Sequence, residues 1–274
     1  MDNILVWQNK KILNSGIISK HIKFISKNMR GLLPLYGKER NKLIEYAKKY
    51  NISKNEIFGL RNIIRIQKEI VRSKIYHMNV DRIKKKFMEL VKEINSNMES
   101  NIRPLIRNFL ISTKMPISMV FKTISVMPEF KTIPDTGLEY IRKIKETIYT
   151  NELESRQQSE IFEHVLENYL QKKNLKFRTE TDIKMDKDYN VTPDILFDKP
   201  IVVRINGVDH WIRWMDAKNY ALVNIPFIIK SLNKQADKYN KIFGSGAFVF
   251  HYGIDSTIAI SNTMMLDGSF LSPK

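Results

Sequence analysis

Three side chains at short, ordered spacings carry the strongest chemical signal. Asp194 ends Thr192-Pro193-Asp194, and 22 residues further on Asp216 and Lys218 flank Ala217. Both segments lie in runs of β-forming residues. Side chains alternate along a strand, so Asp216 and Lys218 face one way and Ala217 the other. Two carboxylates a few ångströms apart repel unless a cation lies between them. Oxygen donors suit Mg²⁺ or Mn²⁺, which polarises a phosphate, while a lysine steadies a water or hydroxide. The expected ligands are Asp194, Asp216 and the Ala217 carbonyl.

A third carboxylate is expected from the helix over 155–173. Its apolar face holds Ile161, Phe162, Val165, Leu166, Tyr169 and Leu170. Glu160 and Glu167 fall near the opposite pole. Glu163 lies at the border, where a side chain reaches a sheet edge, and is the expected partner. After the triplet, a helix over 228–243 carries Gln235 and Tyr239 at i, i+4, on one face. They are expected to support the site or the substrate strand.

The elements that must position these groups follow from local signals. Leu175-Lys176-Phe177 reads as a strand, 186–190 as a polar loop, and 194–197 and 201–205 as two strands separated at Pro200. Asn206-Gly207 is the strongest short hairpin signal, a type I′ turn. The return strand is 208–218, and a last strand follows Gly244 and Gly246 over 247–252. Helix, strands, helix, strand describe a small α/β domain.

Ahead of it the chain reads as helical, with short turns. Helices are expected over 17–27, 38–50, 60–76, 80–94, 102–110, 117–126 and 138–148. Ser53 and Glu56 form a capping box that opens the third. There Arg61, Arg65, Lys68 and Arg72 share a stripe opposite Ile63, Ile64, Ile66, Ile70 and Val71, so the helix packs by its isoleucines and offers cations to phosphates. Lys84, Lys85 and Lys86 add a basic run. Short helices around Met115-Pro116 and Ser118 suggest a helix-turn-helix.

Charge divides the chain in the same place. Residues 1–150 hold 30 Lys and Arg against 13 Asp and Glu, a net +17; residues 151–274 hold 16 of each. A basic module beside a neutral one fits a grip on a polyanion, with DNA foremost and RNA possible. The absence of cysteine removes disulfides and thiolate metal sites. No apolar run approaches about 18 residues, and residues 1–4 lack a signal-peptide layout, so an intracellular protein is expected, nuclear or cytoplasmic.

Taken in order, Glu163, Pro193-Asp194, Asp216-x-Lys218 and Gln235-x-x-x-Tyr239 resemble the PD-(D/E)xK nuclease superfamily. More closely, Asn190 to Asp194, His210-Trp211-Ile212, the Asp-x-Lys and Phe243-Gly244-x-Gly246 resemble the TPD-motif family of such nucleases, which includes codanin-interacting nuclease-like proteins. Ser159, where related nucleases often carry glycine, and the longer stretch from Trp211 to Asp216 depart from the pattern. The resemblance implies an α+β two-domain chain: a helical, helix-turn-helix-like DNA-binding domain over 1–150 and a restriction-endonuclease-like α/β nuclease domain over 151–274. It implies a Mg²⁺-dependent endonuclease or other DNA hydrolase, with catalytic Glu163, Asp194, Asp216, Lys218, Gln235 and Tyr239. The rival expectation is a non-catalytic DNA-binding or scaffold protein on a decayed nuclease fold.

Overall fold

The computed structural model describes residues 4–29, 31–35, 37–96, 102–186 and 189–271. The chain divides into two compact units, one of residues 23–154 and one that joins residues 1–22 to residues 155–274. The expected boundary near residue 150 therefore needs correction at the start of the chain. Residues 4–6 form strand β1, Ile4–Val6, which pairs in parallel with a strand two hundred residues away. The charge division softens accordingly. The helical unit carries 27 Lys and Arg against 14 Asp and Glu, a net +13, and the sheet unit 19 against 15, a net +4.

The sheet unit is built on β1, β3 (Phe177–Thr179), β4 (Ile195–Ile205), β5 (Val208–Lys218), β6 (Gly246–Phe250) and β8 (Thr263–Asp267), in the order β1-β4-β5-β6-β8, with β3 also on β4. β4 runs antiparallel to β3 and β5; the β1–β4, β5–β6 and β6–β8 pairs are parallel. Two short strands, β2 (Ile12–Leu13) and β7 (Ile254–Asp255), form a separate parallel pair. Asn206 and Gly207, with φ of 50° and 82°, make the left-handed turn between β4 and β5 that the Asn-Gly pair predicts.

The two strands expected around Pro200 are one. Leu196 pairs with Trp214 and Ile201 with Ile212, so four residues, 197–200, stand against Arg213 alone. Proline, lacking an N–H, sits in this bulge rather than ending the strand. The extra residues are in β4, so β5 runs straight through to the Asp-x-Lys.

Two helices expected over 138–148 and 155–173 are likewise one, α7, Asp135–Lys172. Neither glycine nor proline occurs after Gly137 to break it. From its second half Phe162, Leu166 and Leu170 pack with Leu5, Trp7, Ile195, Phe197, Val203, Met215 and Val249. Ile161, expected on that face, is exposed. The other face of the sheet carries Trp214 and Phe248 and receives α9, Pro226–Phe243, through Leu232, Ala236 and Tyr239. The core alternation is the site alternation: Met215 and Ala217 turn toward α7, and Trp214, Asp216 and Lys218 toward α9.

In the helical unit, α2 (Gly37–Lys49) lies against α3 (Lys54–Ser73), whose N-cap Ser53 Oγ accepts from the Glu56 N–H at 3.1 Å. α4 (Val80–Ser96), α5 (Ile102–Thr113), α6 (Ile117–Ile124) and the first turns of α7 share a core of Phe87, Ile106, Phe109, Val120, Phe121 and Ile141. α1, Ser15–Asn28, precedes them.

Candidate active site

Asp194 is placed by the register between β4 and β5. Ile195 lies opposite Met215, and one further step sets Asp194 opposite Asp216. Asp194 Oδ2 accepts the Ala217 backbone N–H at 2.7 Å, which ties the Thr-Pro-Asp turn to the Asp-x-Lys strand. Asp216 is 3 % exposed, and its oxygens divide the work. Oδ1 pairs with the Lys218 ammonium. Oδ2 accepts from Gln235 Nε2 at 2.8 Å.

Tyr239 completes this network. Gln235 Nε2 stands 2.9 Å from its hydroxyl and donates to it; the hydroxyl's one proton is shared between the Thr192 carbonyl at 3.0 Å and Asp216 Oδ2 at 3.2 Å. The i, i+4 pair on α9 thus clamps Asp216 to the Thr-Pro-Asp turn. Behind it, the Trp214 indole meets the Tyr239 ring edge-to-face at 5.0 Å and donates to the Gly244 carbonyl at 2.9 Å. Gly244 (φ 84°) caps α9 in a left-handed conformation, and Gly246, opposite Trp214, leaves the room its indole fills.

Electrostatics mark the site as charged beyond its own means. Burial, and then the Asp216 charge, hold the Asp194 carboxyl well above the usual carboxylate range. Glu163 is raised by burial and by Asp216, Glu180 and Glu160, so it lies within electrostatic reach of the aspartates from the α7 side. Burial pulls the Lys218 ammonium down, but Asp216, Tyr220 and Asp194 outweigh it and leave it raised. Three carboxylates share one ammonium.

Two groups escaped the sequence reading. Glu180 opens helix α8, Glu180–Asp186, a stretch to which the sequence reading gave no element before the loop expected from residue 186. Its N–H donates to the Asp194 carbonyl at 3.1 Å, and Thr192 Oγ1 donates to its carboxylate at 3.1 Å. The signal was present, since Thr179 and Asp182 form an N-terminal cap, with Asp182 Oδ2 accepting the Thr179 N–H at 2.8 Å. Tyr220 is the other. Its N–H donates to the Lys218 carbonyl at 2.7 Å and its ring meets Phe250 edge-on at 5.8 Å. Burial pushes its hydroxyl up to about 12, with Lys218 pulling down and Asp216 pushing up. Its position two residues past Lys218 was the available clue.

The basic stripe on α3 is corrected at Arg61. Arg61 is 3 % exposed; its Nε bonds Glu39 at 2.9 Å and its Nη2 the Leu33 carbonyl at 2.6 Å. A guanidinium locked between α2 and α3 is not offered to a phosphate. Arg65 is taken up by Glu69 at 2.5 Å and by Asn62 at 3.2 Å. Lys68 is part-buried, and burial, then Arg61, lowers it. Arg72 is half-buried, while Ile70 and Val71, expected inside, are exposed. Of the α4 run, Lys84 and Lys85 are exposed, and Lys86 donates to the Ser112 carbonyl at 3.2 Å. Arg82 donates to the Thr113 carbonyl at 2.9 Å, so α4 cations close the C-terminus of α5.

The family model described as a protein of unknown function with a TPD sequence motif matches residues 138–269, which contain every group of this network. The chain is also 41 % identical over 268 residues to uncharacterized protein L539 of Acanthamoeba polyphaga mimivirus, covering 98 % of this chain and 96 % of that one. The chain belongs to the TPD sequence-motif family. No solved structure matches it. The Thr-Pro-Asp segment of this family member is tied into the sheet unit at both ends. The Thr192 carbonyl receives Tyr239, Pro193 is buried between them, and Asp194 bonds the strand that bears Asp216. No helix among the described residues is long and apolar enough to cross a membrane.

Proposed function

We propose that the chain is a divalent-metal-dependent nuclease of the PD-(D/E)xK type, hydrolysing DNA phosphodiester bonds at Asp194, Asp216 and Lys218. The observation that carries this reading is the hydrogen-bonded convergence of Asp194, Asp216, Lys218, Gln235 and Tyr239 at the end of one strand pair. The helical unit, at a net +13, supplies the charge expected of a partner for a polyanion.

The chemistry of the donor set fits a hard cation. Its groups are all oxygens, and their charge exceeds what Lys218 balances. Among the described residues no three acidic or imidazole side chains stand together as a ready coordination group, and the Lys218 ammonium lies against Asp216 Oδ1. The groups that would hold the ion are Asp194, Asp216 and the Ala217 carbonyl, with Glu163 directly or through water. Bound there, a divalent ion supplies charge neutralisation and polarisation of the phosphate.

The chain's own residues do the remainder. Lys218 orients the attacking water and balances charge that develops on the phosphate. Gln235 and Tyr239 fix the Asp216 carboxylate, so the nucleophile and the phosphate meet a preset geometry. Tyr239 is pushed up by burial and by Asp216, so it remains a neutral hydrogen-bond donor at neutral pH. Matched DNA and RNA substrates, duplex, single-stranded and branched, test the reading in Mg²⁺ and Mn²⁺. Metal-dependent cleavage with preference for DNA is expected. Equal cutting of RNA would replace the substrate, and no cutting with intact DNA binding would favour a scaffold.

A further inference from the structure

We infer that the Tyr220 hydroxyl is a further active-site group, one that donates a hydrogen bond to a non-bridging oxygen of the phosphodiester beside Lys218. This rests on the nuclease reading of the site, and its test separates the two.

The placement is geometric. Asp216 and Lys218 share one side of β5, and Tyr220 follows two residues on, just past the end of the strand. β5 ends at Lys218, and the backbone turns so that the Tyr220 N–H meets the Lys218 carbonyl at 2.7 Å. The Tyr220 ring is then held by Phe250, at 5.8 Å and 67°, and Phe250 is the register partner of Lys218. Lys218 itself lies over the Phe248 ring at 5.2 Å while pairing with Asp216. One aromatic floor therefore supports both the ammonium and the phenol.

The Tyr220 hydroxyl has no hydrogen-bond partner among the described residues, although the residue is half-buried. The hydroxyl is not among the fully buried polar atoms, so it reaches solvent and is open to a ligand. The Tyr239 hydroxyl, by contrast, is taken up within the protein. Tyr220 stays protonated at neutral pH and lies within electrostatic reach of Lys218 and Asp216. It is thus a neutral donor beside the place where an anionic ligand of Lys218 would sit. A phosphodiester supplies the acceptor; its two non-bridging oxygens allow one to face Lys218 and the other Tyr220.

Tyr220→Phe removes the hydroxyl and keeps the ring on Phe250. At saturating protein, cleavage of a labelled DNA duplex in Mg²⁺ should slow about 10–100-fold, below the 10²–10³ typical of a fully enclosed donor, with an unchanged melting temperature. Equal rates, in a protein that Lys218→Ala inactivates, would overturn the Tyr220 assignment and leave the nuclease reading standing. If the wild type cuts nothing, binding of the same duplex in Ca²⁺ decides. A loss of about fivefold in Tyr220→Phe supports the phosphate contact without hydrolysis. Equal affinity, or no binding by either protein, overturns the contact as well.

Discussion

Substituting Gly246 by alanine should damage the site from behind, without touching any charged group. A Cβ built at Gly246 falls less than 3.0 Å from Cδ2, Cε2 and Nε1 of the Trp214 indole. Ordinary carbon contacts begin near about 3.5 Å, so the ring must retreat by more than about 0.5 Å. It is poorly free to do so. Trp214 is fully buried, bonded through Nε1 to the Gly244 carbonyl at 2.9 Å, and packed edge-on against Tyr239 at 5.0 Å and Phe248 at 5.2 Å. Overpacking of a tight core costs about 1–3 kcal/mol. Loss or stretching of the indole bond adds about 1 kcal/mol. The expected destabilisation is therefore roughly 2–4 kcal/mol. All three tryptophans, Trp7, Trp211 and Trp214, belong to the sheet unit, so urea unfolding followed by tryptophan fluorescence reports that unit alone. Because Tyr239 moves with Trp214, catalysis should fall as well, even in urea-free buffer where the protein stays folded. A loss below about 0.5 kcal/mol would refute the reasoning, for it would place Trp214 in a core loose enough to absorb a methyl group.

Further outcomes follow from buried charge. Asp194 binds its proton more tightly in the fold than in the unfolded chain, as its carboxyl is raised by burial and by Asp216. Its contribution is fully present below the unfolded value of about 3.9 and is lost as pH rises through the folded value. Asp194→Asn should therefore stabilise the sheet unit at neutral pH and abolish cleavage; urea midpoints compared at pH 3.5 and 7 would show the gain confined to the higher pH, and a destabilised variant at pH 7 would contradict the account. Arg61→Met takes the guanidinium away from the buried Glu39 carboxylate and should destabilise the helical unit, by at most about 3–5 kcal/mol, seen by far-ultraviolet circular dichroism. Adding Glu39→Leu should restore most of that loss, and the double variant should bind DNA as the wild type does, since neither group faces solvent.

The parts of the site legible in the sequence are those governed by local periodicity. Alternation put Asp216 and Lys218 together on β5, an i, i+4 spacing put Gln235 and Tyr239 together on α9, and Asn206-Gly207 announced the turn that brings Asp194 across. What was hidden depends on partners distant in sequence. β1 is three residues long, and only its pairing with Val202 to Arg204 defines it. A helical wheel set Arg61 on a polar stripe because the wheel knows nothing of Glu39, 22 residues earlier, or of the Leu33 carbonyl. Pro200 reads as a strand end until the excursion over 197–200 is seen against a single residue of β5. The continuity of α7 was available, since no breaker separates the two segments read as helices; the polar residues around 151–160 simply carry no apolar stripe to show it.

The most direct test of the central claim is single-turnover cleavage of end-labelled DNA in Mg²⁺ by the wild type, Asp216→Asn and Lys218→Ala, each first shown to be folded. Asp216→Asn keeps the size and the acceptor for Gln235 but removes the charge; Lys218→Ala removes the ammonium beside it. The account predicts metal-dependent cleavage by the wild type and losses on the order of 10²-fold or more in both variants. Cleavage by the variants at the wild-type rate, or with no need for the metal, would contradict it.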